Sequence, residues 1–185
     1  MTNSTENKII TIPNILSMVR ILLIPVIVYL YVFEKQYIAA GVVILLSGAT
    51  DIIDGWIART FHMISNLGKA LDPIADKLTQ VTVMGCLLTR YHLMAIPLVL
   101  MVIKETCMTF TGAAVIHKTG IVPAAVWHGK IATAVLYAMM MLHVFWMDIP
   151  SLLSTITILL SAALILLSFI LYMQKNLTLI HHAKE

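Results

Sequence analysis

Four aspartates, Asp51, Asp54, Asp72 and Asp76, and one glutamate, Glu105, fall inside or at the ends of long apolar runs. A carboxylate near the centre of a bilayer costs about 2.5–3.5 kcal/mol on insertion scales, so an acid in such a run marks a functional site unless something else explains it. Asp51 and Asp54 are three residues apart, and Gly68, Asp72 and Asp76 repeat at intervals of four. In a helix both spacings put the residues along one face. The two stripes are joined by the short stretch 60–69, so the helices that carry them are expected to be antiparallel neighbours whose carboxylates converge. Converging carboxylates repel one another unless they are protonated or neutralised by cations.

Hard divalent cations take oxygen ligands, and magnesium characteristically combines one or two carboxylates with substrate phosphates and water. Four aspartates can hold two such ions, Mg2+ or Mn2+. Paired metals clamp the attacking and leaving oxygens of a displacement at phosphorus. Gly55, Ala58 and Gly68 leave space for a ligand to approach the backbone. Arg59 offers a planar fork that matches a phosphate. Acid, cation and small residues together describe a diphosphate site.

The elements that must position this site are read from hydropathy. The chain has 185 residues, 60% hydrophobic and 11% charged, with a mean hydropathy of +0.95. A soluble domain carries about 25% charged residues, so the composition is that of a protein dissolved in lipid. Six apolar runs approach the roughly 20 residues that a spanning helix needs: Leu16–Phe33, Tyr37–Arg59, Ala70–Thr89, Leu93–His117, Trp127–Met147 and Ser151–Met173. Short connections, with no repeat or linker, predict one all-α domain over residues 1–185. Pro13 and Asn14 can start a helix, and the stretch Asn7–Ser17 is expected to lie as a short interfacial helix before the first span. The N-terminus is polar and lacks the apolar core of a cleavable leader, so the first run is expected to be retained.

Lysine and arginine set the expected orientation. With six spans, Lys8, Arg20, Arg59, Lys69, Lys77, Lys118, Lys130, Lys175 and Lys184 collect on the side of both termini, against Lys35 and Arg90 opposite. The positive-inside rule then puts the termini and the aspartates in the cytoplasm. The net charge of +3 comes without a basic run, which argues against nucleic acid and for anionic head groups or phosphorylated substrates. Cys86 and Cys107 lie in apolar runs and imply neither disulfides nor a metal site. His62, His117, His128, His181 and His182 read as loop or boundary residues, because oxygen donors already serve a hard cation.

The full pattern, Asp51-x2-Asp54-Gly55-x2-Ala58-Arg59-x8-Gly68-x3-Asp72-x3-Asp76, matches at every fixed position the signature of the CDP-alcohol phosphatidyltransferase family. Ile12-Pro13-Asn14, Ser17 and Arg20 also resemble the opening of its small bacterial members. The resemblance implies that Asp51, Asp54 and Asp72 coordinate magnesium or manganese, with Asp76 close to the metals and acting as general base. It implies that Gly55, Ala58, Arg59 and Gly68 cradle the CDP part of CDP-diacylglycerol, that CMP leaves, and that the protein is a homodimer in a bacterial cell membrane.

For the acceptor, the start of the chain resembles family members that use glycerol 3-phosphate, whose phosphate Arg20, Lys104, Lys118 and Lys130 are candidates to bind. Two departures stand out. Lys104-Glu105 replaces an expected Arg-Glu, and Gly129-Lys130-Ile131-Ala132-Thr133 lacks one basic residue of the expected Gly-Lys-x-Lys-Thr. Residues 11–20 and 51–77 also resemble the family's cardiolipin synthases, whose acceptor is phosphatidylglycerol. Lys104 and Glu105 can equally pair with each other, and Arg20 can snorkel to the interface. A more distant reading is an ion or proton transporter, which also keeps carboxylates in its spans. In that reading Gly55, Ala58 and Arg59 have no role.

Overall fold

The computed structural model describes residues 12–60, 66–120 and 126–182; the side chains of 12, 13, 51, 52, 54–59, 66–70, 181 and 182 lie outside the description. The described residues form six α-helices and no strand. The helices are α1 (Ile12–Val28), α2 (Tyr37–Thr60), α3 (Asn66–Leu88), α4 (Ala95–Thr119), α5 (Trp127–Phe145) and α6 (Ser151–His182). They group into two units, Met1–Thr89 and Arg90–Glu185.

In the first unit α1 packs against both α2 and α3. Pro13 and Asn14 lie in the first described turn of α1. The expected separate interfacial helix is not found over its described part, because residues 12–17 are the first turns of α1 itself; residues 7–11 lie outside the description. No glycine or proline falls between Asn14 and Ile24, so the chain has no reason to break there. α1 passes into a π-helical turn, Tyr29–Phe33, and ends at Glu34, whose N–H donates to the Tyr29 carbonyl at 3.1 Å. Lys35 takes the left-handed conformation, φ 54°, that lets the chain turn into α2. Tyr31 and Tyr37 close the turn edge to face.

Polarity in this unit is arranged inside out. Asn14, Ser17, Arg20, Ser47, Thr79 and Gln80 are buried, while Leu22, Phe33, Ile38 and Leu46 are exposed. Water would reverse that order. Lipid does not, because it solvates apolar side chains as well as a core does and leaves polar ones to find partners within the bundle.

The second unit opens with a 3-10 turn, His92–Met94, and packs α4 and α5 each against α6. α4 stops at Gly120, whose φ of 68° and N–H bond to the Ile116 carbonyl (2.9 Å) form a left-handed helix cap. α5 begins where the Val126 N–H donates to the Tyr172 hydroxyl of α6 at 2.8 Å. Gly129 makes that approach possible: a Cβ there would lie 2.6 Å from the Tyr172 hydroxyl oxygen. His143, fully buried, has Nδ1 2.8 Å from the Met139 carbonyl and Nε2 2.9 Å from Ser154 Oγ. A carbonyl only accepts, so Nδ1 carries the proton and Nε2 receives the serine hydroxyl. Asn176 Nδ2 donates to Thr111 Oγ1 at 3.0 Å, linking α6 to α4.

Four helical stretches are long and apolar enough to cross a membrane: Asn14–Phe33, His92–Thr119, Trp127–Phe145 and Ser151–Ile180. α2 contributes a shorter apolar stretch, Tyr37–Thr50. α3, at 23 residues, is long enough but carries Lys69, Asp72, Asp76 and Lys77 in its first half. α6 runs to His182, nine residues past the expected end at Met173. The protein is an all-helical membrane protein.

Candidate active site

Six of the eight motif positions have their side chains outside the description: Asp51, Asp54, Gly55, Ala58, Arg59 and Gly68. Their backbone is helical. The first five lie in the C-terminal turns of α2, and Gly68 lies in the first turn of α3. Residues 61–65, between the two helices, are outside the description. α1 packs on both helices and is the element common to the two halves of the motif.

Asp72 and Asp76 are half-buried, one turn apart on the face of α3. Each is met by a hydrogen-bond donor. Ser17 Oγ, on α1, donates to Asp72 Oδ1. Gln80 Nε2 donates to Asp76 Oδ2 at 3.0 Å from the next turn of α3. Both donor side chains are buried, Ser17 fully and Gln80 at 1% exposure. Pro73, between the two aspartates, lacks an N–H, so the Lys69 carbonyl loses its usual helical donor beside the site.

The motif's acids are all carboxylates, an all-oxygen donor set that fits Mg2+ or Mn2+ and not the sulfur and nitrogen preferences of zinc. Among the described residues no three side chains of His, Cys, Asp or Glu gather around a common point. The side chains of Asp51 and Asp54 lie outside the described residues, and the expected cluster of four lies outside them too.

The candidate phosphate-binding cations occupy different settings. Arg20 is buried in α1, at 2% exposure, one turn from Ser17. Lys104, in α4, places its ammonium 3.1 Å from Glu105 Oε1, which realises the pairing that their adjacency allows. Lys118, near the end of α4, and Lys130, in the first turn of α5, are exposed. At 1.5 Å of rise per residue, Lys104 and Lys118 are separated by about 21 Å along α4, too far for one phosphate to bridge both.

Sequence reasoning did not assign Gln80, Asn176 or the buried His143–Ser154 pair. Gln80 carried a signal, since it sits four residues after Asp76 and a Gln–Asp pair at that spacing bonds along a helix. His143 and Ser154 are separated by the bend between two spans, and nothing local announces their contact.

The comparisons with known proteins point to one family. Over 99 residues the chain is 46% identical to the cardiolipin synthase (CMP-forming) of Homo sapiens, a stretch that is 53% of this chain and 32% of that protein. The corresponding enzyme of Rattus norvegicus is 45% identical over 108 residues, 58% of this chain and 35% of that one. The CDP-diacylglycerol–glycerol-3-phosphate 3-phosphatidyltransferase of Rickettsia typhi is 35% identical over 96 residues, 51% of this chain and 54% of that one. The matched stretch thus spans about a third of the two mammalian proteins and about half of the rickettsial one. The model of the CDP-alcohol phosphatidyltransferase family matches residues 10–172, nearly the whole of both units, and the chain belongs to that family.

Proposed function

We propose that the protein transfers the phosphatidyl group of CDP-diacylglycerol to glycerol 3-phosphate, giving phosphatidylglycerophosphate and CMP. The observation that carries this reading is the complete Asp51–Asp76 motif inside a family match over residues 10–172, with Asp72 and Asp76 on one face of α3. In this reading the chain is one catalytic domain of six spans, with α2 and α3 as the second and third. It is a homodimer in a bacterial cell membrane, with both termini and the aspartates toward the cytoplasm.

Asp51, Asp54, Asp72 and Asp76 would hold two divalent ions, whose positive charge, when bound, neutralises the diphosphate and the departing CMP. Arg59 grips a phosphate of the CDP-lipid through its planar fork. Gly55, Ala58 and Gly68 let the nucleotide lie against the backbone of α2 and α3. Asp76 takes the proton of the acceptor hydroxyl. That oxygen forms a bond to the phosphorus bearing the diacylglycerol, the bond from this phosphorus to the bridging oxygen breaks, and CMP carries that oxygen away. Proximity and orientation supply much of the acceleration, so a carboxylate of ordinary basicity suffices. Arg20 and the lysines at 104, 118 and 130 are the cations available to the acceptor phosphate; the separation along α4 allows only one of Lys104 and Lys118 to serve a given phosphate.

A second reading takes phosphatidylglycerol as acceptor, making the product cardiolipin. The higher identity to proteins named cardiolipin synthase favours it. The larger share of the rickettsial relative that is matched favours glycerol 3-phosphate. Isotopically labelled glycerol 3-phosphate and phosphatidylglycerol, each supplied with CDP-diacylglycerol and Mn2+, separate them by the labelled lipid that forms. Labelled phosphatidylglycerophosphate supports the first reading, whereas labelled cardiolipin alone overturns it in favour of the second.

A further inference from the structure

The bond between Ser17 and Asp72 joins two helices that no local rule brings together. Ser17 sits on α1, 55 residues before Asp72, and is completely buried. An aliphatic residue would be the ordinary choice for a buried position in a span. The serine hydroxyl instead points its proton at one oxygen of a carboxylate that the proposed function makes a metal ligand. Asn14, Ser17 and Arg20 recur every three residues on α1 and are all buried, so the polar stripe of this helix is turned inward, and α3 is one of the two helices it packs on.

A carboxylate that accepts no fixed bond rotates about its last torsion, a broad and soft one. A metal site needs that rotation stopped before the ion arrives. Donors that hold a ligand in place commonly change metal affinity by 10- to 100-fold when removed. The Gln80 bond to Asp76 could serve likewise, but it lies within one helix at a spacing that bonds wherever the two residues occur. The Ser17 bond has no such local origin.

We propose that Ser17 is a positioning residue of the metal site: its hydroxyl, delivered by α1, fixes the orientation of the Asp72 carboxylate for a divalent cation. The inference rests on the reading of Asp72 as a metal ligand. It assigns α1, which carries no residue of the aspartate motif, a direct part in building the site.

Binding of Mn2+ alone to the purified full chain in detergent, followed by the electron paramagnetic resonance of the free ion, tests it without reference to turnover. Ser17→Ala is expected to weaken Mn2+ binding about tenfold or more. Ser17→Thr, which keeps the hydroxyl, is expected to bind as the unsubstituted protein does. Ser17→Cys, close in size but a weak donor, is expected to fall between, and it decides the matter if the alanine variant does not fold. Alanine or cysteine variants that bind Mn2+ with unchanged affinity overturn the inference alone, leaving Ser17 as a clip between helices whose loss lowers only the unfolding temperature. An unsubstituted protein that binds no Mn2+ overturns the metal reading of the aspartates, and the inference falls with it.

Discussion

The two units bury polar side chains for different purposes. In the unit of α1–α3, two buried donors end on carboxylates: Ser17 on Asp72 and Gln80 on Asp76. In the unit of α4–α6, three polar contacts among the described residues end on neutral groups. His143 meets Ser154, Asn176 meets Thr111, and the Tyr172 hydroxyl receives the N–H of Val126. Lys104 and Glu105, neighbours in sequence, form an ion pair in this unit. A membrane protein must satisfy every buried polar group internally. The second unit closes several such pairs between its helices, which is how lipid-dissolved helices are held together. The first keeps half-buried carboxylates that cost free energy to retain, and such retention calls for a function. In the proposed reading the aspartate chemistry belongs to the first unit, and the second contributes the helix pairs and the lysines available to the acceptor.

The largest effect that would sharpen this comparison is expected at Asp76. Asp76→Asn removes the proposed base and should lower CMP release by about 10²- to 10⁴-fold, with the unfolding temperature and the elution volume in detergent kept. A variant of normal turnover would remove the base from Asp76. Arg59→Ala comes next. Loss of a charge-assisted phosphate contact should lower kcat/KM for CDP-diacylglycerol on the order of tenfold to a hundredfold, mainly through KM. Unchanged kinetics would take the clamp away from Arg59.

The second unit should respond in stability. Gly129→Ala forces a methyl group against the Tyr172 ring and hydroxyl and should cost about 1–3 kcal/mol, read as a lowered unfolding temperature. An unchanged unfolding temperature would show that the tyrosine moves away freely. The smallest effect is expected between His143 and Ser154, where a double-mutant cycle should give a coupling of about 0.6 kcal/mol. Turnover per folded molecule should stay constant in both single variants. A large loss of turnover there would break the division between the units.

Much of this architecture is legible from hydropathy alone. The expected starts at Tyr37, Trp127 and Ser151 agree with the helices found. The extent of α6 is not legible in the same way, because the polar triplet Gln174–Asn176 ends the apolar run, whereas the helix continues through Leu177–Ile180 to His182. Over residues 12–17 the expectation of a separate interfacial helix departs from the structure for the converse reason: polarity at Asn14 and Ser17 suggests an interface, whereas here both side chains are buried in the bundle. At the site, the common face of Asp72 and Asp76 follows from helical periodicity. The donors that reach them do not, apart from Gln80, since Ser17 meets Asp72 only after two helices have packed. Adjacency made the Lys104–Glu105 pair readable.

The most direct test of the central claim is CMP release by the purified protein given CDP-diacylglycerol, Mn2+ and glycerol 3-phosphate or phosphatidylglycerol, repeated after chelation with EDTA. The account predicts release that requires one of the two acceptors, stops on chelation and returns when Mn2+ is restored. Release that persists undiminished without divalent metal would contradict the role given to the aspartates. No release with either acceptor would contradict the proposed reaction.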